Sequence, residues 1–419
     1  MSRLSRLLVL LWFGCIAAGW VAAHDAKPTP APWSAWRGHD GRGIWAGPVP
    51  VRWSKSENIT WQAKVPGRGH ASPVIWNDQL FIVTADPASQ EQLLLCFDRP
   101  SGKELWRRSV HQGGFMKLHG KNSHASATPV CDGERVVVAF INHDALWVTA
   151  YDLQGKQLWQ SKVGSFDSEH GYGSSLALYQ ELIIVNGDNL VDCFVAALDR
   201  KTGKTVWRTP RPTSGKHGSY ATPVVATIAG RPQLLLPGMS ATFSYDPATG
   251  KEHWRCPGPA EVMANTPAWN DQLVFTSGGY PEKEIFALRA DGQGDVRQTH
   301  LLWRSRQFVA YVPSPIWYDG RLYVVADNGV ATCYEGTTNR LIWQHRLKGN
   351  FSASPLVAGG HIFVTNEAGV TYVYKPGDRF ELVAENDLGD GGFASLAFAP
   401  GQIFIRTENQ LFCIGQPHR

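Results

Sequence analysis

A short motif that ends in tryptophan recurs along most of the chain. Its copies read DRPSGKELW at 98–106, DLQGKQLW at 152–159, DRKTGKTVW at 199–207, DPATGKEHW at 246–254, DGQGDVRQTHLLW at 291–303 and EGTTNRLIW at 335–343. With Trp61 included, successive motif tryptophans are separated by 45, 53, 48, 47, 49 and 40 residues. An acidic residue followed by glycine is typical of a tight turn, so each tryptophan is predicted to lie on the strand after it.

A second signature, a serine or threonine followed by proline, precedes an apolar strand upstream of each turn. It occurs at 72–73, 128–129, 222–223, 266–267, 314–315 and 354–355, and Ser175-Leu176 and Ser395-Leu396 replace it twice. Each unit therefore predicts four strands, which is the composition of a propeller blade. The sequence predicts an all-β, eight-bladed β-propeller of four-stranded antiparallel blades over 59–416. An open solenoid is the alternative.

The two ends of the repeat region favour a closed ring. The last unit, from about 393 to 415, has only three predicted strands, whereas ITWQAKV at 59–65 is a spare strand at the other end. If that strand completes the last blade, both open sheet edges disappear. The outer strand of the seventh unit, within 375–386, has no tryptophan.

The first 23 residues are predicted to be a secretory signal peptide. Arg3 and Arg6 precede an apolar run that ends at Ala23, and residues 24–58 would form an N-terminal arm or linker. A membrane anchor and a lipoprotein signal at Cys15 are the alternatives. Cleavage removes two arginines, so the formal charge falls from +4 to +2, which excludes binding to nucleic acid through net charge. We expect an exported monomer, periplasmic or extracellular.

The six remaining cysteines, at 96, 131, 193, 256, 333 and 413, are expected to be free buried thiols. Cys96 and Cys333 occupy a repeat position that holds Ala150, Ala197 or Ser244 in other units, which indicates a small core side chain rather than a disulfide.

The repeat resembles the pyrroloquinoline-quinone (PQQ) repeat, and the resemblance covers nearly all of the chain after 33. The segments PGRGHASPV, EHGYGSS, FVAALDRKTGKTVWRT, GNFSASPL and WSAWRGHDGRG are most similar to exported PQQ-like repeat proteins of planctomycete bacteria. More distantly, the chain resembles BamB-like outer-membrane assembly factors and quinoprotein alcohol dehydrogenases.

The resemblance implies two functions. A quinoprotein dehydrogenase would hold PQQ and calcium above the channel, with a carboxylate base and two adjacent cysteines. The sequence has no adjacent cysteines and no carboxylate that can be matched to the base. We therefore expect no catalytic residue and no cofactor. The favoured function is a non-catalytic scaffold that binds a protein or cell-envelope ligand, and a PQQ-dependent dehydrogenase is the alternative.

A ligand site is expected on the face that carries the loops between blades. These loops vary most in length, and the longest, 109–129, leads into the second blade. The candidate ligand-binding residues precede inner strands on this face: Arg68, His70, Lys121, Asn122, His124, Glu169, His170, Tyr172, His217 and Tyr220. They would form a funnel for an anion, a glycan or a metal. Alternatively, each histidine only binds backbone groups of its own loop.

Overall fold

The structure, a computed structural model, describes residues 31–213 and 218–416. The predicted signal peptide at 1–23 and His217 lie outside these residues. The described residues form strands and turns without a helix, arranged as eight sheets of at least four strands. None of them forms a helix that is long and apolar enough to cross a membrane. The predicted eight-bladed propeller is confirmed.

Each blade runs from an inner strand at the channel to an outer strand at the rim. Blade 1 contains Val74–Trp76, Gln79–Asp86, Glu91–Asp98 and Glu104–Gln112. Blade 2 contains Val130–Cys131, Arg135–Asn142, Ala145–Asp152 and Gln157–Ser165. Blade 3 contains Ala177–Tyr179, Leu182–Asn186, Phe194–Asp199 and Thr205–Pro210. Blade 4 contains Val224–Ile228, Arg231–Gly238, Ala241–Tyr245 and Glu252–Pro257, with Gly294–Asp295 added outside.

The remaining blades repeat this order. Blade 5 contains Ala268–Trp269, Leu273–Gly278, Glu284–Arg289 and Leu301–Ser305. Blade 6 contains Ile316–Tyr318, Arg321–Val325, Val330–Glu335 and Arg340–Arg346. Blade 7 contains Leu356–Ala358, His361–Thr365, Val370–Lys375 and Glu381–Asp387, with Ile44–Trp45 added inside. Blade 8 contains Ala397–Ala399, Gln402–Arg406 and Gln410–Gly415, and Ile59–Lys64 is its outer strand.

The Ser/Thr-Pro signature joins neighbouring inner strands around the channel. The Ser72 N–H donates to Thr128 Oγ1 at 3.0 Å, the Thr128 N–H donates to Ser175 Oγ at 2.9 Å, and the Ser175 N–H donates to Thr222 Oγ1 at 3.0 Å. The same amide-to-hydroxyl bond recurs at 2.9–3.0 Å from blade 5 to blade 8. Six junctions between blades thus have this bond, whereas between blades 4 and 5 the Thr266 hydroxyl donates to Thr222 O at 3.3 Å, and the Ser72 hydroxyl has no partner among the described residues. We call the eight positions the hydroxyl ring: Ser72, Thr128, Ser175, Thr222, Thr266, Ser314, Ser354 and Ser395.

The motif tryptophans join the blades at their outer ends. The Trp159 indole N–H donates to Arg200 O in the turn of the next blade at 3.1 Å, and six other motif tryptophans make the equivalent bond. The turn glycine is required beneath the indole, since a Cβ on Gly203 would lie 2.4 Å from Trp159. The acidic residue, the glycine and the tryptophan therefore form a contact between blades.

A β-bulge lies beside this contact in all eight blades. The residue before the tryptophan, or before Ala384 in blade 7, has no partner in the register of the third strand. Leu105, Leu158 and Val206 are examples, and all three side chains are exposed. Bulges disturb the regular hydrogen-bonding edge of a strand, so they protect the outer edges from pairing with other sheets.

The N-terminal arm, residues 31–58, packs into the ring. The N–H groups of Ile75 and Cys131 donate to Trp33 O and Ser34 O, each at 2.8 Å, on blades 1 and 2. The strand Ile44–Trp45 then pairs in parallel with the inner strand of blade 7. Farther along, Trp53 stacks on Phe363 and belongs to the same buried cluster as Ala384, which occupies the tryptophan position in blade 7. The arm thus supplies the indole that this blade lacks.

All six cysteines in the described residues are buried and free, as expected from their repeat positions. Burial raises the pKa of the Cys96 and Cys131 thiols to about 12. These thiols are therefore protonated core side chains.

Removing one hydroxyl of the ring should destabilise the fold. In Ser175→Ala, the Thr128 N–H loses its acceptor in a buried position, which should lower the free energy of unfolding by about 1–3 kcal/mol. Ser72→Ala is the matched control because the Ser72 hydroxyl has no hydrogen-bond partner among the described residues, and its effect should stay within about 0.5 kcal/mol. Urea unfolding measures both, and equal losses would contradict the role of the ring.

A methyl group at the turn glycine should disrupt the contact between blades. Gly203→Ala should cost about 1–2 kcal/mol for the left-handed backbone and about 1–3 kcal/mol more for the clash with Trp159. Gly401→Ala is the control and should lose only the backbone part of this stability. Its φ of +72° is close to the +71° of Gly203, but no other atom lies within 4 Å of the new Cβ. The difference between the two thermal unfolding midpoints isolates the indole contact, and a zero difference would refute it.

Candidate functional site

The arm closes the central channel at the face of the hairpins between inner and second strands. Trp36 projects into the channel and lines two cavities, one on each side of it. The upper cavity has a volume of about 590 Å³ and lies at the loop-rich face. Thr222 also borders both cavities, and Trp36 lies at the lower end of the upper one and forms its floor.

Buried hydrogen bonds hold the arm in this place. The Arg37 guanidinium is 3% exposed and donates to Pro315 O at 3.1 Å and Pro355 O at 3.3 Å. Burial lowers the pKa of Arg37 to about 9, although Asp40 partly offsets this effect. The residue next to the cavity floor is therefore fixed to the inner strands of blades 6 and 7.

The hydroxyl ring forms the lower wall of the cavity. Six of its members line the cavity: Thr128, Ser175, Thr222, Ser314, Ser354 and Ser395. A hydroxyl that accepts a backbone N–H still has one hydrogen to donate. The same groups that join the blades can therefore donate hydrogen bonds into the cavity.

The long loop before blade 2 reaches across the mouth of the cavity. Lys121 Nζ lies 3.1 Å from both carboxylate oxygens of Glu367, which belongs to a loop of blade 7. The Ser352 hydroxyl also donates to Glu367, at 2.7 Å. Lys121 is the only lysine or arginine among the lining residues that the structure describes, and it is paired with a carboxylate.

A cluster of aromatic rings forms the side of the cavity at blades 2 to 4. His119 and His170 pack with their ring centroids 5.2 Å apart, and His170 Nδ1 lies 3.1 Å from Tyr220 Oη. The Asn122 amide donates to His170 O at 2.7 Å, which holds the two loops together. Tyr220 Oη also lies 3.3 Å from Ser168 Oγ, so hydrogen bonds connect the loops before blades 3 and 4.

His70 lies at the opposite side and packs against Phe393, with the ring centroids 4.4 Å apart and the rings tilted by 35°. Its Nε2 is buried and has no hydrogen-bond partner among the described residues. Burial, and then the charges of Arg68 and Arg406, lower the pKa of His70 to about 3. This imidazole is therefore neutral at neutral pH.

The structure brings five of the ten candidate residues to the cavity: His70, Lys121, Asn122, His170 and Tyr220. Four others are placed outside the lining. Arg68 donates to Gly120 O at the rim, and Glu169 is exposed beside His170. His124 packs against Phe115, with the two rings tilted. Tyr172 is buried in the core, where its hydroxyl donates to Asn186 O. His217 lies outside the described residues. The binding roles remain predictions.

Sequence reasoning missed several residues of the lining: Trp36, His119, Tyr311, Asp327, Glu367 and Phe393. Asp327 and Glu367 could have been found, because ADNGV at 326–330 and NEAGV at 366–370 are the same loop in consecutive blades. Trp36 could not, because nothing in the sequence places the arm inside the channel.

Asp188, which also follows a second strand on this face, is not part of the cavity. It forms a bidentate ion pair with Arg211 at 2.7 and 3.0 Å, and Arg211 also donates to Tyr245 Oη at 2.8 Å. Both side chains of the pair are fully buried. The pair joins blades 3 and 4 and supports the loops beneath the rim.

The neutral state of His70 should make stability depend on pH. Below its ordinary pKa of 6.5 the unfolded histidine binds a proton, whereas the folded one does so only near 3. The contribution of neutral His70 to the free energy of unfolding is therefore fully present above pH 6.5, and it is lost as the pH falls toward 3. From about pH 7 to about pH 4, wild type should lose more stability than His70→Phe in urea unfolding. Parallel losses would show that His70 is protonated in the folded state.

Comparison with known proteins identifies the family and supports the fold. Residues 46–191, 191–294 and 293–379 match the family model described as outer membrane protein assembly factor BamB. Two solved structures have the same overall fold. BamB from Moraxella catarrhalis is 12% identical with a TM-score of 0.59, covering 86% of this chain and 98% of its own. Quinohemoprotein alcohol dehydrogenase from Comamonas testosteroni is 10% identical with a TM-score of 0.66, and the match covers 92% of this chain and 80% of the dehydrogenase chain.

A curated relative is tetrathionate hydrolase from Acidithiobacillus ferrooxidans, which is 23% identical over 288 residues. The match covers 65% of this chain and 53% of the relative, so the chain spans about half the length of that enzyme. These likenesses establish the propeller but not a reaction. Because the family model matches most of the chain, this protein belongs to the family of PQQ-like repeat propellers described as outer membrane protein assembly factor BamB.

Proposed function

We propose that this protein is an exported, non-catalytic binding protein of the cell envelope, which holds a protein or other envelope ligand at its loop-rich face. The observation that carries the proposal is the cavity of about 590 Å³ at that face, with Trp36 at its floor. Ligand sites are typically concave, of this size and lined by aromatic rings with a few polar groups. Export rests on the sequence of residues 1–23.

The composition of the cavity favours binding over chemistry. Its ionisable side chains are mostly engaged in structural contacts, such as Lys121 with Glu367. Asp327 accepts hydrogen bonds from the backbone of Tyr311 at 2.8 Å and of Val312 at 3.1 Å, which fixes the loop before blade 6. A general base or nucleophile aimed at a common reacting atom is not among the described lining residues.

The alternative, a PQQ-dependent dehydrogenase, would require the cavity to hold a tricarboxylate quinone and calcium. The lining offers one lysine, already paired, together with the carboxylates of Asp327 and Glu367. Calcium takes six to eight oxygen ligands. No group of three or more His, Cys, Asp or Glu side chains in the described residues is placed to bind a metal ion. The residues present do not fit this cofactor pair.

Filling the cavity should abolish binding without unfolding the protein. Gly173 lies in the lining, and a Cβ there would meet only Tyr220 Cβ at 3.9 Å, so Gly173→Phe can place a ring in the cavity. Immobilised wild-type protein should retain a component of envelope extract, and Gly173→Phe should retain less than about a tenth as much.

Gly120→Phe is the control, because Gly120 is exposed on the same face, outside the lining, and has open space around its Cβ. It should bind like wild type. Addition of PQQ and calcium chloride to wild type should give neither bound quinone absorbance nor dye reduction with alcohols. Turnover, or equal retention by Gly173→Phe, would overturn the proposal.

A further inference from the structure

We infer that the ligand of the cavity is an uncharged glycan, held by aromatic faces and neutral hydrogen-bonding groups. The inference rests on the proposed function, since it names the ligand class of the same site. The other ligand classes that a polar cavity could bind are an anion, a metal ion and a polypeptide.

The charge of the lining disfavours an anion. Among the described lining residues, Lys121 is positive and Asp327 and Glu367 are negative, which gives a formal charge of −1 when the histidines are counted as neutral. Lys121 contacts both oxygens of Glu367, and Asp327 lies 3.4 Å from Lys283. Among the described lining residues, a carboxylate or phosphate would therefore meet no unpaired cation, and its desolvation would remain uncompensated there.

Flat aromatic surfaces are present on several sides of the cavity. Trp36 forms the floor, Phe393 lies beside His70, and Tyr220 and Tyr311 line the wall. The face of an aromatic ring carries partial negative charge, which attracts the slightly positive C–H groups on the face of a sugar ring. Such surfaces bind the apolar side of a pyranose without requiring a charged group.

The polar groups that remain available are neutral. The side-chain amides of Asn328 and Asn350 are exposed in the lining and form no hydrogen bond with other described residues. An amide donates and accepts at once, so it matches a pair of neighbouring sugar hydroxyls. The hydroxyl ring below adds donors, because members such as Ser175 and Thr222 use an oxygen lone pair for the backbone and keep their hydrogen.

The shape of the cavity indicates that the ligand enters by one end. Trp36 closes the floor, and the bridge between Lys121 and Glu367 spans part of the mouth. A chain that is bound within such a cavity contributes a terminus or a short branch rather than a continuous stretch. A glycan end is uncharged and rich in hydroxyl groups, so it suits this lining better than a polypeptide terminus.

The test is titration calorimetry with defined oligosaccharides. The probes are tetramers of glucose, mannose, xylose and N-acetylglucosamine, with tetragalacturonate as the anionic comparator. Wild type should bind at least one neutral tetramer, and tetragalacturonate should bind at least about tenfold more weakly. Trp36→Ala should weaken the binding of the neutral sugar at least about tenfold, whereas Trp36→Phe, which keeps an aromatic face, should stay within about threefold.

The controls separate this inference from the proposed function. Gly120→Phe should bind the sugar as wild type does, and unfolding midpoints should show that Trp36→Ala is folded. If no neutral tetramer binds, or tetragalacturonate binds as tightly, the inference is wrong. The inference is also wrong if wild type retains a protease-sensitive or anionic envelope component that Gly173→Phe does not retain. In that case the proposed function still holds, because the cavity binds a ligand of another class. If wild type retains no envelope component, the proposed function itself fails.

Discussion

The amide-to-hydroxyl bond between inner strands is the contact on which the ring depends. An inner strand has only two to five residues, so it gains little from pairing within its own blade. The serine or threonine before proline gives it a second partner, because its hydroxyl accepts the N–H of the preceding blade. The proline sets an extended backbone at this place. Since the bond repeats at 2.9–3.0 Å, it also sets the spacing of the inner strands.

The channel is defined by a second element, the arm. The hydroxyl ring alone would surround a pore, and the arm converts it into a cavity by crossing at one face. Its anchors are backbone bonds to blades 1 and 2 and the buried Arg37 guanidinium on blades 6 and 7. The arm also supplies Trp53 beside the blade without a motif tryptophan, and it continues directly into the outer strand of blade 8. Closure of the ring and closure of the channel are therefore achieved by one continuous segment.

The character of the site follows from this construction. Its lower wall consists of hydroxyl groups that are needed to hold the blades, so they are present whatever the ligand is. The variable part is the rim. Lys121 with Glu367 connects loops of blades 2 and 7, whereas His170 with Tyr220 and His70 with Phe393 connect loops of neighbouring blades. These pairs neutralise charge or stack rings within the protein. The surface left for a ligand is neutral to slightly acidic and aromatic.

The sequence by itself determined the blades, their number and the closure of the ring. The turn residues indicate local structure, and the spacing between copies of the motif gives the length of one blade. It also indicated the face at which the cavity lies, since loop length varies there, and five of the residues that line this cavity. Only the tertiary structure decided what these motifs do. The Trp159 indole donates to the next blade and the Ser175 hydroxyl accepts the amide of the preceding blade, and these bonds join residues that are 41 and 47 positions apart.

The same reason explains what the sequence left open. Whether a loop histidine faces the channel or the core depends on the twist of its loop, so His70 and His170 reached the cavity while His124 packed against Phe115. The bulge before each motif tryptophan depends on the register of the third strand. Trp36 became the floor because the arm is anchored on both sides of the ring, through residues that are far apart in the chain. Local pattern fixes the strands, and long-range hydrogen bonds fix the site.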